Sequence, residues 1–123
     1  MIALRQAAAS WSDRLVAHFG STTFDTETLA GAVADEQAGD YVRLAAALEL
    51  VLRGDRAPAT IALLRRVLDD GMFALTNSLI ERGQAALALA LAGDVASRDR
   101  IAAITPINGN DRMRDLALRV LSG

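Results

Sequence analysis

The chain carries one segment twice. Ala46–Asp55 reads AALELVLRGD and Ala85–Asp94 reads AALALALAGD, 39 residues further on and aligned without gaps. Identities fall at Ala46/Ala85, Ala47/Ala86, Leu48/Leu87, Leu50/Leu89, Leu52/Leu91, Gly54/Gly93 and Asp55/Asp94, and Arg43/Arg82 and Ala57/Ala96 extend the match on either side. A fixed period of this size is the signature of stacked helical hairpins. It constrains the fold more than any other feature, because each unit must stop at the same Gly-Asp pair. Glycine permits the left-handed turn that ends a helix, and aspartate accepts hydrogen bonds from amides that open the next.

The leucines of both segments alternate, at 48, 50, 52 and at 87, 89, 91, and period two is a strand signal. The residues between them are Glu49, Val51, Ala88 and Ala90, which are mostly helix formers. A helix buried on more than one side reconciles the two patterns. Composition agrees: 52% of residues are apolar, with Ala and Leu dominant, and only 4% are aromatic. Such a chain favours helices. Pro58 and Pro106 are the two prolines, so helices can occupy most of the 123 residues, enough for a single domain spanning 1–123 with a real core.

The periodicity predicts seven segments. Residues 2–18 form an amphipathic helix with Leu4, Ala8, Trp11, Leu15 and Phe19 on one face, stopped by Gly20. Asp25 caps a helix over 26–37 with Leu29 and Val33 inward, and Asp40 caps the next, over 40–53. Pro58 sits in the first turn of a helix over 56–69 that buries Ile61, Leu64, Val67 and Leu68. Its outer side offers the i,i+4 pairs Arg65/Asp69 and Arg66/Asp70. The fifth helix starts between Met72 and Thr76, runs to Ala92, and has Met72, Leu75, Leu79, Gly83, Ala86/Leu87 and Ala90 on its buried stripe. A short helix over 95–104 turns Val95, Ile101 and Ile104 inward. The last, over 111–121 with Asn110 as its cap, buries Met113, Leu116, Ala117, Val120 and Leu121 and pairs Asp115 with Arg119.

Helix, short break, helix, Gly-Asp resembles the HEAT/armadillo class of helical repeat. The best local match is Met113–Leu121, which is similar to the apolar–Arg–x–x–Ala–x–x–x–Leu pattern of a HEAT second helix and is preceded by Asp111. The resemblance spans roughly residues 40–121 and implies an all-α, HEAT-like stack of antiparallel hairpins at about 26–53, 56–92 and 95–121, with six to seven helices in all. The fourth and fifth helices lack the Arg–Ala signature, which leaves an irregular helical bundle as the alternative. The resemblance implies a binding role and carries over no catalytic residue.

The residues offer little chemistry. There is no cysteine, which excludes disulfides and thiolate catalysis. His18 is the sole histidine, placed where a helix dipole favours it. No zinc spacing, EF-hand, phosphate-binding loop, dinucleotide fingerprint or serine-hydrolase elbow occurs, so no metal, cofactor or enzymatic activity is expected. The neighbours Asp35-Glu36 and Asp69-Asp70 diverge around a helix and read as solvated ends. Ser10, Ser12 and Ser78 have no activating pattern. Fifteen acids face thirteen basic residues, all arginine, and the signs are interspersed. That argues against a general nucleic-acid partner. A helix-turn-helix around 29–44 fails because its second helix offers only Arg43 and Glu49 among apolar neighbours. The absence of lysine fits a GC-rich genome. With no secretory leader and no long apolar run, the expectation is a soluble, cytoplasmic, bacterial protein with no membrane partner.

What remains is the placement of arginine. Arg43 and Arg82 hold equivalent repeat positions, and Arg112, Asp115 and Arg119 lie on the third such helix. Arginine binds carboxylates bidentately while its stem packs, so these five are the candidate binding residues. Trp11 reads as a core anchor. The functional expectation is a protein–protein interaction module: a small adaptor, assembly factor or regulatory protein offering a rigid helical face. Self-association is a second expectation from the apolar content. The alternatives are a nucleic-acid-associated regulator using Arg43, Arg82 and Arg119, and a non-catalytic subunit of an enzyme complex.

Overall fold

The computed structural model describes residues 1–70, 79–104 and 110–123. It is all-helical, with no strand among the described residues, as the Ala/Leu composition requires. Two compact units divide the chain, residues 1–63 and 64–123. The first holds α1 (Ile2–Ser10), α2 (Ser12–Phe19), α3 (Thr26–Ala34) and α4 (Asp40–Leu52). Helix α5 (Pro58–Asp70) begins in the first unit and ends in the second. The second also holds α6 (Leu79–Leu91), a 3-10 turn at Val95–Ser97, α7 (Arg98–Ala102) and α8 (Asn110–Ser122). Each unit contains one apolar, covered helix, an arrangement compatible with a helical bundle.

In the first unit that helix is α4. Leu44, Ala45, Ala46, Ala47, Leu48, Leu50 and Val51 are all buried, and α1, α2 and α3 pack against it. A helix apolar around most of its circumference must be covered on several sides. The alternating leucines are therefore helical. Asp25 caps α3 as expected, its Oδ1 accepting from the Thr28 amide at 2.7 Å. The Thr28 hydroxyl and amide hold the Asp25 carboxyl below its ordinary range. Asp40 does not cap α4. Gly39 occupies that position and Asp40 lies in the first turn, where its charge suits the helix dipole.

Eight α-helices are present among the described residues, where six to seven were expected, because the N-terminal segment is two helices. Trp11 breaks it, at φ −105° and ψ −1°. Its neighbours supply the cause. The Ser10 hydroxyl donates to the Ala7 carbonyl at 2.6 Å and the Ser12 hydroxyl to Ala9 at 2.9 Å, and serines that bond the preceding turn bend a helix. Leu4, Ala8 and Leu15 still share the buried face. Trp11 and Phe19 are only half-buried.

In the second unit the covered helix is α6, with Ala85 to Ala90 buried throughout. Helix α8, whose Ala117 is fully buried, packs on it, and α7 lies against α8. Gly83 is buried, as its stripe requires. Met72 and Leu75 lie outside the described residues, as do the side chains of Leu79 and Asn110. Ile101 and Ile104 point inward, but Val95 is 69% exposed because a 3-10 turn replaces the first helical turn there. In α5, Leu64, Val67 and Leu68 are buried with Leu63, whereas Ile61 is half-buried. Met113, Leu116, Val120 and Leu121 of α8 are likewise half-buried.

The repeated Gly-Asp has one geometry in both places. Gly54 (φ +92°) and Gly93 (φ +80°) adopt the left-handed conformation. The Gly54 amide donates to Val51 and the Asp55 amide to Leu50, at 3.0 and 2.9 Å; the Gly93 and Asp94 amides donate to Ala90 and Leu89, both at 3.0 Å. These are two Schellman motifs, each closing the open carbonyls of its helix. The aspartates then diverge. Asp55 accepts from the Thr60 hydroxyl at 3.0 Å. Asp94 takes a two-pronged contact from Arg65, Nε at 2.8 Å and Nη2 at 2.5 Å, and a third bond from Ser97 Oγ.

Candidate functional site

Among the five candidate residues, Arg43 turns inward. It is 9% exposed, and its Nε and Nη2 both donate to the Val33 carbonyl, at 3.1 and 3.0 Å. The reason is local. Helix α3 ends at Ala34, and the Gln37 amide, which would continue the ladder to Val33, is bound instead by Asp35 Oδ1 at 2.9 Å. Arg43 closes the open carbonyl from the next helix. Its guanidinium is thereby committed inside the first unit. Arg82, its repeat counterpart, is half-buried in α6, and its Nε is buried with no hydrogen-bond partner among the described residues.

Arg112, Asp115 and Arg119 are exposed on α8. The spacing i, i+3, i+7 sets them on one side of the helix. The expected Asp115/Arg119 pair is replaced by a contact from the adjacent Arg114, whose Nε lies 3.1 Å from Asp115 Oδ1. Arg114 also donates Nη1 to the Ile104 carbonyl at 3.0 Å, which ties α8 to the end of the preceding segment. The expected Arg65/Asp69 pair is rearranged in the same way. Arg65 goes to Asp94, and Asp69 lies 3.3 Å from Arg100. Arg66/Asp70 lies outside the described side chains. The Arg65 guanidinium holds the Asp94 carboxyl below its ordinary range, with Ser97 assisting and burial opposing.

The first unit carries a concavity that sequence reasoning missed. It is an open cleft of about 590 Å³. One wall is formed by Arg5, Ala8 and Ala9 of α1 and Ser12 at the start of α2; the other is Glu49 and Leu52 of α4 with Arg53 just past its end. Leu15 and Phe24 make the rest of its apolar surface, and Thr22 and Thr23 edge it. Arg53 Nε lies 3.3 Å from Glu49, a partly exposed i,i+4 pair. Arg5 is exposed and holds no ion pair among the described residues. The signal available in sequence was the 5, 8, 9, 12 spacing, overlooked because the 4, 8, 11, 15 stripe beside it is more apolar.

Trp11 stacks on Tyr41, with ring centres 4.7 Å apart at 30°, and the Arg14 guanidinium lies 4.9 Å from the Tyr41 ring centre. The half-exposed tryptophan thus joins α1–α2 to α4 at the surface. His18 is exposed in the last turn of α2, edge-on to Phe19 at 4.7 Å. No group of three metal-ligating side chains occurs among the described residues. No described helix is long and apolar enough to cross a membrane. Comparison with protein-family models, with curated proteins and with solved structures finds no match.

Proposed function

We propose that the chain is a protein-interaction module, an adaptor, assembly factor or regulatory protein, acting through rigid helical surfaces. The observation that carries this reading is the exposed Arg112–Asp115–Arg119 stripe on α8. The helix beneath it is held from below by the fully buried Ala117 and from the side by the Arg114 bond to Ile104. Two arginines flanking one acid on a fixed helix suit a complementary, acid-rich partner surface. Within this reading the hairpins at about 26–53 and 56–92 are copies of one HEAT-like repeat, supported by the paired Schellman motifs 39 residues apart. The nucleic-acid reading loses support, since it used Arg43, Arg82 and Arg119 together and Arg43 is occupied by Val33.

The test is affinity capture from the native lysate by the wild-type chain and by an Arg112→Glu/Arg119→Glu double variant. Wild type should retain a stoichiometric protein partner, and the variant should release most of it with an unchanged melting temperature. A wild-type chain that recovers no partner, or a double variant that holds it equally well, refutes the reading.

A further inference from the structure

The geometry points to the cleft of the first unit as a groove for an amphipathic, acid-flanked helix of a partner protein. This inference rests on the interaction-module reading but uses a different surface from the α8 stripe. The groove is built from helical stripes. Arg5, Ala8 and Ala9 follow the i, i+3, i+4 spacing on α1, with Ser12 just past the Trp11 break, and Glu49, Leu52 and Arg53 follow i, i+3, i+4 on the facing wall. A helix that lies in such a groove presents its own apolar residues at the same spacing.

Ala8 and Ala9 make one wall shallow, since a side chain of one methyl lets an incoming helix backbone approach closely. Phe24 and Leu52 remain half-buried where they line the cleft. Their uncovered faces are the apolar area that an occupant would remove from water.

Charge selects the occupant. The wall residues include two guanidiniums and one carboxylate; Arg53 also faces the Asp25 carboxylate, while Arg5 holds no ion pair among the described residues. The Glu49–Arg53 contact is partly exposed, with side chains 35% and 34% accessible, so it is weak and exchangeable. A carboxylate on the incoming helix can take Arg5, while Arg53 already faces Glu49 and Asp25; a basic helix would be repelled by Arg5. The hydroxyls of Ser12, Thr22 and Thr23 accommodate a polar edge on the same occupant.

The probe is a pair of synthetic peptides of about 15 residues, long enough for a helix to form on binding. Both carry Leu at i, i+3, i+4 and i+7. One is flanked by Glu and the other by Lys. Binding to the full chain is read by backbone amide shifts of Ala8, Ala9, Leu15, Phe24 and Leu52 and by Trp11 fluorescence. The Glu-flanked peptide should bind and shift those amides, and the Lys-flanked peptide should bind about tenfold more weakly. Arg5→Glu should reverse the preference. Ala9→Trp, which fills the groove from an exposed position, should abolish both. Raising salt from 0.05 to about 0.5 M should shrink the difference between the peptides, since exposed charges are screened.

Equal binding of both peptides, or shifts outside the groove, overturns the inference. So does displacement of the Glu peptide by decanoate at lower concentration, which would make the cleft a small-amphiphile site. If Arg5→Glu does not fold, the two peptides on the wild-type chain still decide it. Loss of peptide binding with partner capture by the α8 stripe intact would refute the groove alone; the reverse result would refute the stripe.

Discussion

Removing the guanidinium of Arg43 should destabilise the first unit far more than the matched change at Arg82 destabilises the second. Arg43→Met keeps most of the aliphatic stem and deletes the Nε and Nη2 donors that lie 3.1 and 3.0 Å from the Val33 carbonyl. Val33 is 2% exposed, and the Gln37 amide that could replace Arg43 is held by Asp35. The carbonyl is therefore left buried and unpaired. A hydrogen bond from a charged donor contributes about 1.5–3 kcal/mol net, and relief of the buried charge offsets part of it. The expected loss is about 2 kcal/mol for Arg43→Met. It rises to about 3 kcal/mol for Arg43→Ala, which also loses the packed stem, and falls to about 1 kcal/mol for Arg43→Lys, which can still donate once. Trp11 is the only tryptophan and lies in the same unit, so urea unfolding followed by its fluorescence reports the right region. With a slope of about 2 kcal/mol/M, Arg43→Met lowers the midpoint by about 1 M. Arg82→Met deletes a buried Nε that bonds nothing among the described residues, and should stay within about 0.5 kcal/mol of wild type by circular dichroism. An Arg43→Met midpoint within about 0.2 M of wild type, or equal losses at both positions, refutes the argument.

Other outcomes follow from the same geometry. Gly54→Ala and Gly93→Ala meet no atom within 4 Å, so their cost is the left-handed backbone alone, about 1 kcal/mol each; thermal melts should show two similar decrements. Ala117→Leu forces three carbons into a fully buried site on α8 and should cost about 1–3 kcal/mol, whereas Leu87→Ala empties a fully buried site and should cost about 2–5 kcal/mol in chemical denaturation. Asp94 titrates below its ordinary 3.8 because Arg65 and Ser97 favour the charged form. Its folded pKa is lower than its unfolded one, so the contribution is complete above about pH 4 and is lost as pH falls through the folded value. Asp94→Asn should flatten the acid limb of a stability–pH profile below pH 4 and leave its slope near neutrality unchanged.

Much of the helical content was legible because it depends on neighbours in the chain. The Asp25 cap, Pro58 at the first position of α5, and the core positions of α4 follow from residues within a turn or two of one another. The candidate site was less legible. Arg43 carried the right type and the right repeat position, but its direction was set by an open carbonyl ten residues earlier. The cleft was not read because its walls come from α1–α2 and α4, and no local pattern pairs Ala9 with Leu52.

The sequence by itself determined where this chain must stop and restart. Gly54-Asp55 and Gly93-Asp94 produce the same cap, with the same amide-to-carbonyl bonds, because a left-handed residue after a helix and the closure of its last carbonyls are decided within about six residues. Only the tertiary structure decided what the two aspartates bind. Asp55 meets Thr60 in its own neighbourhood, while Asp94 is claimed by Arg65 from 29 residues away, in place of the i+4 partner that the helix offered. The physical reason is that a long, flexible arginine has several carboxylates within reach. The one it takes is the one that packing brings to two-pronged distance and partly shields from water, and that choice is made after the helices have formed.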